Sequence, residues 1–185
     1  MSDKSNFQNP LIDEILAHYE RDLEAERLSK RTNPIEILIR SVKQDELSAL
    51  LYLYKHLNPM DAPLPDASAL EKIWNEILSD SKISCFVATW EGNLIASCIL
   101  TIIPNLTRGA RPYGLIENVI THPDYRRQGV GKRLIYHALQ SAWSHNCYKV
   151  MLLSGSQTKE VLQFYEKTGF KKGIKTGFVA TPISD

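Results

Sequence analysis

Apolar positions recur along the chain with two different periods, and the switches between them mark the elements. Near the start, Leu11, Ile12, Ile15, Leu16, Tyr19, Leu23 and Leu28 fall at helical spacing, with Glu20, Arg21, Glu24 and Arg27 on the other face. Asn9 can cap this helix and Pro10 suits its first turn. Asn33-Pro34 ends it, because a residue before proline resists helical geometry. Residues 1–33 therefore read as a helical extension, packed either on its own domain or on a second subunit of a homodimer. Residues 34–185 read as the main domain.

That domain opens on alternation. Ile35, Ile37 and Ile39 alternate with Glu36, Leu38 and Arg40, which predicts a strand. Residues 44–56 predict a helix with Leu47, Leu50, Leu51 and Tyr54 on one face. Residues 58–68 hold three of the nine prolines and read as a loop, with Ser68 capping a second helix that runs to residue 78. Residues 85–90 and 94–103, joined by Glu91-Gly92-Asn93, predict a hairpin. A loop over 104–111 leads to a strand over 113–121. The next helix, over 128–144, buries Leu134, Ile135, Ala138, Leu139 and Trp143. A short strand over 149–153, a helix over 160–167 stopped by Gly169, and two short strands around Phe170 and Phe178 close the chain. The strand–helix–strand unit over 113–153 should be a right-handed crossover between parallel strands. The fold class is α/β with a mixed sheet flanked by helices.

Composition narrows the chemistry. The chain has 185 residues, of which 43% are hydrophobic and 23% charged, with a formal net charge of +1. A core can form without disulfide or metal staples, and bulk positive charge for nucleic acid is absent. The most apolar stretch, over 94–103, is far shorter than the ~20 residues that span a bilayer. Residues 1–10 lack the apolar core of a signal peptide. Cys85, Cys98 and Cys147 form no disulfide framework, and the five histidines show no metal-ligand spacing. The expectation is a reduced, cytoplasmic protein with no metal, nucleic-acid or membrane partner.

One segment carries the chemistry: Arg126-Arg127-Gln128-Gly129-Val130-Gly131-Lys132-Arg133, between a strand and a helix start. Glycines let the backbone approach a ligand closely, and a first helical turn directs unpaired N–H groups outward. The positive end of the helix dipole stands behind them, so a diphosphate fits there. Arg126, Arg127, Lys132 and Arg133 add charge. A P-loop would need Gly at 126 and Ser or Thr at 133, where arginines stand. A dinucleotide fingerprint would need Gly at 134, where Leu134 stands, and an earlier place in the chain. Arg-x-x-Gly-x-Gly after a strand remains.

Downstream, Phe164-Tyr165-Glu166-Lys167-Thr168-Gly169-Phe170 ends the next helix. With the cradle, this resembles the GNAT acetyltransferase superfamily over residues 35–181, in element order as well as motif. The resemblance implies a splayed sheet, acetyl-CoA as acyl donor and a primary amine as acceptor. It implies that Arg126, Arg127, Gln128, Gly129, Val130, Gly131 and Lys132 hold the pyrophosphate. It places Val119, Ile120 and Thr121 along the pantetheine in the manner of an added strand, with an N–H near Val119 facing the thioester oxygen. Tyr165 matches the tyrosine near the CoA sulfur. Ser154, past the carboxyl end of a parallel strand, would contact acceptor or CoA. An alkyl amine of pKa ~10 must lose a proton before it attacks, and Glu117 is the candidate base. Direct attack needs no cysteine.

Leu115-Ile116-Glu117-Asn118-Val119 and Cys147-Tyr148-Lys149-Val150 look like glucosamine-6-phosphate N-acetyltransferases and related small-amine enzymes. Those usually have Asp after the Glu, where this chain has Asn118. Acceptor contacts would come from His56, Asn58, Asp61 and Asp66, or from Asn105, Arg108 and Arg111. The acidic set suits a cationic amine and the basic set a phosphorylated one. Small-molecule N-acetylation is the leading expectation. A protein or peptide N-acetyltransferase needs an open groove, and an acyl-CoA sensor without turnover could dispense with Glu117 and Tyr165. His122 reads as a turn residue, and His137 and His145 as surface or packing groups.

Overall fold

The computed structural model describes residues 36–156 and 158–182. The helix expected over residues 1–33, and any pairing of subunits through it, lies outside the described residues. Among the described residues one sheet contains β1 (Leu38–Ser41), β2 (Ile83–Trp90), β3 (Asn93–Ile103), β4 (Tyr113–Thr121) and β5 (Val150–Leu152), adjacent in that order. Neighbours from β1 to β4 pair antiparallel, and β4 pairs β5 parallel. The longer helices among the described residues are α1 (Leu47–Lys55), α2 (Ala67–Ser79), α3 (Val130–Ser144) and α4 (Lys159–Lys167).

Alternation along the strands gives the sheet two apolar faces. On one, Phe86, Ala88, Cys98, Leu100 and Ile116 pack with Val130, Leu134, Ile135, Ala138 and Ala142 of α3. On the other, Cys85, Val87 and Ile120 pack with Leu50 and Leu53 of α1 and Trp74 of α2. The α3 stripe follows the four-residue period of a helix, so Ala142 enters the core and Trp143, expected there, is 45% exposed. In α1, likewise, Leu53 is fully buried and Leu51 only half-buried. Two half-buried contacts brace the start of the domain: Arg40 donates to both carboxylate oxygens of Glu46, at 2.8 and 2.6 Å.

Asp66, rather than Ser68, caps α2, its carboxylate accepting from Ala69 N at 2.9 Å. The expected strands around Phe170 and Phe178 do not form; residues 170–182 contain turns and irregular chain. Phe170 packs on the core without a strand, whereas Phe178 is 90% exposed. Lys171, Lys172, Gly173, Lys175 and Gly177 leave that segment little apolar surface to bury against a sheet edge.

Candidate active site

The sheet opens at the middle of β4. Its pairing with β5 covers Gly114, Leu115 and Ile116 and stops, because β5 ends at Leu152. From Glu117 to Thr121, β4 keeps β3 on one side and, among the described residues, has no strand on the other. The register with β3 slips at the same place. Ile99 faces Glu117 and Ser97 faces Ile120, so Asn118 and Val119 together oppose Cys98. This is a β-bulge, with Asn118 in the left-handed region at φ 51°. A bulge turns a strand's polar groups away from the ladder, here beside the opening. Sequence reasoning did not anticipate it; Asn is among the few residues that tolerate this conformation, and that was the available signal.

Beyond β4 the chain makes a helical turn over Pro123–Tyr125 and enters the cradle. Arg127 at φ 62° and Gly129 at φ 80° take left-handed conformations, a backbone pattern that recurs in anion-binding turns. Gly129 is the N-cap of α3 and supplies no side-chain cap, so the first-turn N–H groups stay available to an anion. Arg126 Nε donates to Thr121 O at 2.9 Å and Gln128 Nε2 to Asp124 O at 2.8 Å, tying the cradle to the end of β4. Arg133, expected to add charge there, instead donates to Ile37 O at 2.9 Å and braces the entry to β1. Arg127 and Lys132 remain exposed, Lys132 lying 5.4 Å from the Tyr136 ring.

Gly131 serves packing rather than conformation. A Cβ there would stand 3.0 Å from Thr121 Oγ1 and 3.3 Å from the Phe164 ring, where α3, β4 and α4 meet. Gly131→Ala is therefore expected to lower stability. Overpacking costs about 1–3 kcal/mol and outweighs the gain of up to about 1 kcal/mol from replacing a helical glycine. Urea unfolding checks this; a stability equal to wild type would mean that Phe164 and Thr121 give way freely.

Tyr165 lies in the last turn of α4, with its ring 5.0 Å from Phe164 and 6.1 Å from Phe170. Thr168, buried and overlooked in the sequence, fixes this turn: its Oγ1 and N donate to Tyr165 O at 2.8 and 3.0 Å. Phe170 N donates to the same carbonyl at 3.1 Å, and Gly169 at φ 99° makes the stop. Burial pushes the Tyr165 phenol up, and the fields of Cys98 and Glu117 add to it. The fold thus brings Glu117 and Tyr165, distant in sequence, into one electrostatic neighbourhood. Val119 is half-buried and Ile120 buried beside the bulge; Ser154, half-buried past β5, donates to Ser156 O at 3.3 Å.

The structure sorts the acceptor candidates. Asp66 is occupied as a cap, and Asp61 accepts from Ala62 N at 2.9 Å. Arg111 donates to Asn146 O at 3.2 Å and Cys147 O at 3.1 Å, and Asn105 braces its own loop. Arg111 and Asn105 are therefore structural struts. Arg108 is exposed, with its backbone at φ 59°. His56 is packed 4.6 Å from His122, and its Nε2 is buried without a hydrogen-bond partner. His122 accepts from Asp124 N at 3.4 Å, as a turn residue should, and His137 packs edge-on to Phe86 at 4.7 Å. The Cys85 and Cys98 thiols are pushed up to about 12 by burial, which removes them as nucleophiles at neutral pH. Among the described residues no cluster of His, Cys, Asp and Glu could hold a metal ion.

An open parallel seam, a bulged strand along it and a helix N-terminus at its end define an acyltransferase-type site. The chain belongs to the Acetyltransferase (GNAT) family, whose profile matches residues 48–170. It is 35% identical over 143 residues to the glucosamine 6-phosphate N-acetyltransferase of Trypanosoma brucei brucei, covering 76% of this chain and 92% of that protein. A solved protein of Agrobacterium tumefaciens strain C58, assigned to the acetyltransferases, is 42% identical with a TM-score of 0.73, over 78% of this chain and 99% of that one. An aminoglycoside acetyltransferase from an uncultured soil metagenomic sample, solved in complex with sisomicin, shares the fold. Its TM-score is 0.67 at 20% identity, over 78% of this chain and 95% of that one. The protein is an acetyltransferase of the GNAT type.

Proposed function

We propose that this enzyme transfers the acetyl group of acetyl-CoA to the primary amine of a small molecule, with an amino-sugar phosphate as the leading acceptor class. The observation that carries the reading is the coincidence of the β4 opening with the cradle at its end. An extended pantetheine arm can pair with β4 over Val119, Ile120 and Thr121 while its diphosphate meets the first-turn N–H groups of α3. Arg127 and Lys132 add positive charge at that end.

The chemistry follows from the groups along the opening. Glu117, exposed on β4, takes a proton from the incoming ammonium, directly or through water. The neutral amine attacks the thioester carbonyl, and the new oxyanion meets the Val119 N–H at the bulge. The carbon–sulfur bond breaks, the Tyr165 phenol donates its proton to the departing thiolate, and the proton that the tetrahedral nitrogen loses passes through water to restore the phenol, while Glu117 releases its own to solvent. The amide product and free CoA thiol leave. Burial keeps Tyr165 protonated, the state a donor requires.

The trypanosomal relative supports the amino-sugar phosphate, and Arg108 is an exposed cation in the loop before β4 that could meet a phosphate. Thiol release should be compared for glucosamine 6-phosphate, glucosamine, a polyamine, an aminoglycoside and a lysine peptide. The reading predicts the highest kcat/KM for glucosamine 6-phosphate and a marked loss without its phosphate. Preference for the lysine peptide would establish the protein-acetylating alternative. Binding of acetyl-CoA with no turnover on any amine would favour the sensor.

A further inference from the structure

The turn that ends α4 is already closed by its backbone. Phe170 N donates to Tyr165 O at 3.1 Å and Gly169 N to Glu166 O at 3.1 Å, with Gly169 at φ 99°. These are the two bonds of a Schellman motif. Its apolar contact is present too, with the Phe170 ring 6.1 Å from that of Tyr165. Thr168 N reaches the same Tyr165 carbonyl at 3.0 Å. A carbonyl oxygen has two lone pairs, so these two N–H groups satisfy it without any side chain.

The Thr168 hydroxyl nevertheless donates to that oxygen as well, at 2.8 Å, the shortest of the three bonds. Thr168 is only 1% exposed, so this hydroxyl sits in the core. Valine has nearly the same shape and would fill the place without burying a polar group. The two residues also rank alike as helix formers. Capping, packing and propensity therefore leave the hydroxyl unexplained. What it does is pin one peptide plane, and that plane belongs to the residue that faces the departing thiolate. The carbonyl and the side chain of Tyr165 share one Cα, and the phenol oxygen lies at the far end of the ring. A rotation of about 10° at Cα moves that oxygen by about 1 Å, and a misplacement of this size costs up to about a hundredfold in rate.

We propose that Thr168 is a positioning residue: its hydroxyl pins the Tyr165 carbonyl and thereby aims the Tyr165 phenol at the sulfur. Its effect on turnover rests on the acetyl-transfer reading; its effect on the Tyr165 ring does not.

The test uses Thr168→Val and Thr168→Ser in the full chain. Thr168→Val leaves Tyr165 O its two N–H donors, so no buried acceptor is stranded and the fold is kept. In NMR of ring-labelled tyrosine, the Tyr165 signal is identified by its loss in Tyr165→Phe. That signal should shift and broaden in Thr168→Val and return in Thr168→Ser. Turnover should fall roughly tenfold in Thr168→Val with KM for acetyl-CoA unchanged, and recover in Thr168→Ser. In a Tyr165→Phe background Thr168→Val should cost nothing further, because no phenol is left to aim. An unmoved Tyr165 signal in Thr168→Val would overturn the proposal, as would an undiminished kcat when wild type is active. A loss that persists in full in the Tyr165→Phe background would also overturn it, since Thr168 would then be merely structural. A wild type inactive on every amine would condemn the acetyl-transfer reading and leave the Tyr165 signal to decide the role of Thr168.

Discussion

Gly129→Glu is expected to abolish acetyl-CoA binding while leaving the protein folded. Two effects combine. Gly129 sits at φ 80°, and a residue with a Cβ pays about 1–2 kcal/mol there. No atom lies within 4 Å of that Cβ position, so the strain is conformational and local. The larger effect is electrostatic. A carboxylate at the N-cap of α3 competes for the N–H groups that a diphosphate would use, and it repels the diphosphate. The same carboxylate suits the helix dipole, so the fold is spared while the site is filled. Affinity should fall by roughly a hundredfold or more, about 2.7 kcal/mol. Gly129→Ala, which carries only the conformational cost, should lose far less. Calorimetric titration reads both, and equal affinities in Gly129→Glu and wild type would remove the cradle from the account.

Tyr165→Phe should lower turnover by roughly a hundredfold, the low end for loss of a positioned proton donor, with acetyl-CoA affinity little changed. The ring still packs between Phe164 and Phe170, so the loss is confined to the hydroxyl. The direction of the pKa shift also fixes the pH behaviour. Burial first, then Cys98 and Glu117, raise the Tyr165 phenol above its ordinary value near ~10. It stays protonated across the range in which the amine begins to lose its proton. Rate should therefore rise with pH, with no falling limb from Tyr165 below ~10. The same rising limb should persist in Tyr165→Phe at lower amplitude. A falling limb near neutrality that vanishes in the variant would show that Tyr165 titrates there and contradict this assignment.

Much of the scaffold was legible because it depends on local period and punctuation. Alternation marked the strand that becomes β1, the Gly-containing turn at 91–93 marked the β2–β3 hairpin, helical spacing marked α1 and α3, and Gly169 marked the end of α4. The glycines of the cradle were legible for the same reason: unusual backbone needs glycine, and Gly129 has the positive φ this implies. What the sequence concealed was long-range or decided by small differences. Asp66 and Ser68 can both cap a helix, and the competition turns on two residues of register. Arg111 looks like an anion ligand until the fold brings the carbonyls of Asn146 and Cys147 to it. Arg133 is withdrawn from the cradle by the Ile37 carbonyl.

The bulge at Asn118 was hidden by its own sequence, Glu-Asn-Val in an otherwise regular strand. Only the pairing partners reveal that two residues of β4 oppose one of β3. Yet this slip, with the early end of β5, is what turns a sheet into a site. The absence of strands around Phe170 and Phe178 has the opposite origin. Short strands were expected around these two aromatics, but lysine and glycine between them leave no face to bury.

The most direct measurement is a single turnover with acetyl-CoA and glucosamine 6-phosphate, quenched over time and followed by mass spectrometry of both the sugar and the intact protein. Direct attack across the β4 opening predicts that the acetyl group appears on the amine nitrogen as CoA thiol is released, with the protein mass unchanged throughout. An acetylated protein that forms first and decays into product, or bound acetyl-CoA that transfers to no amine of the panel, would contradict it.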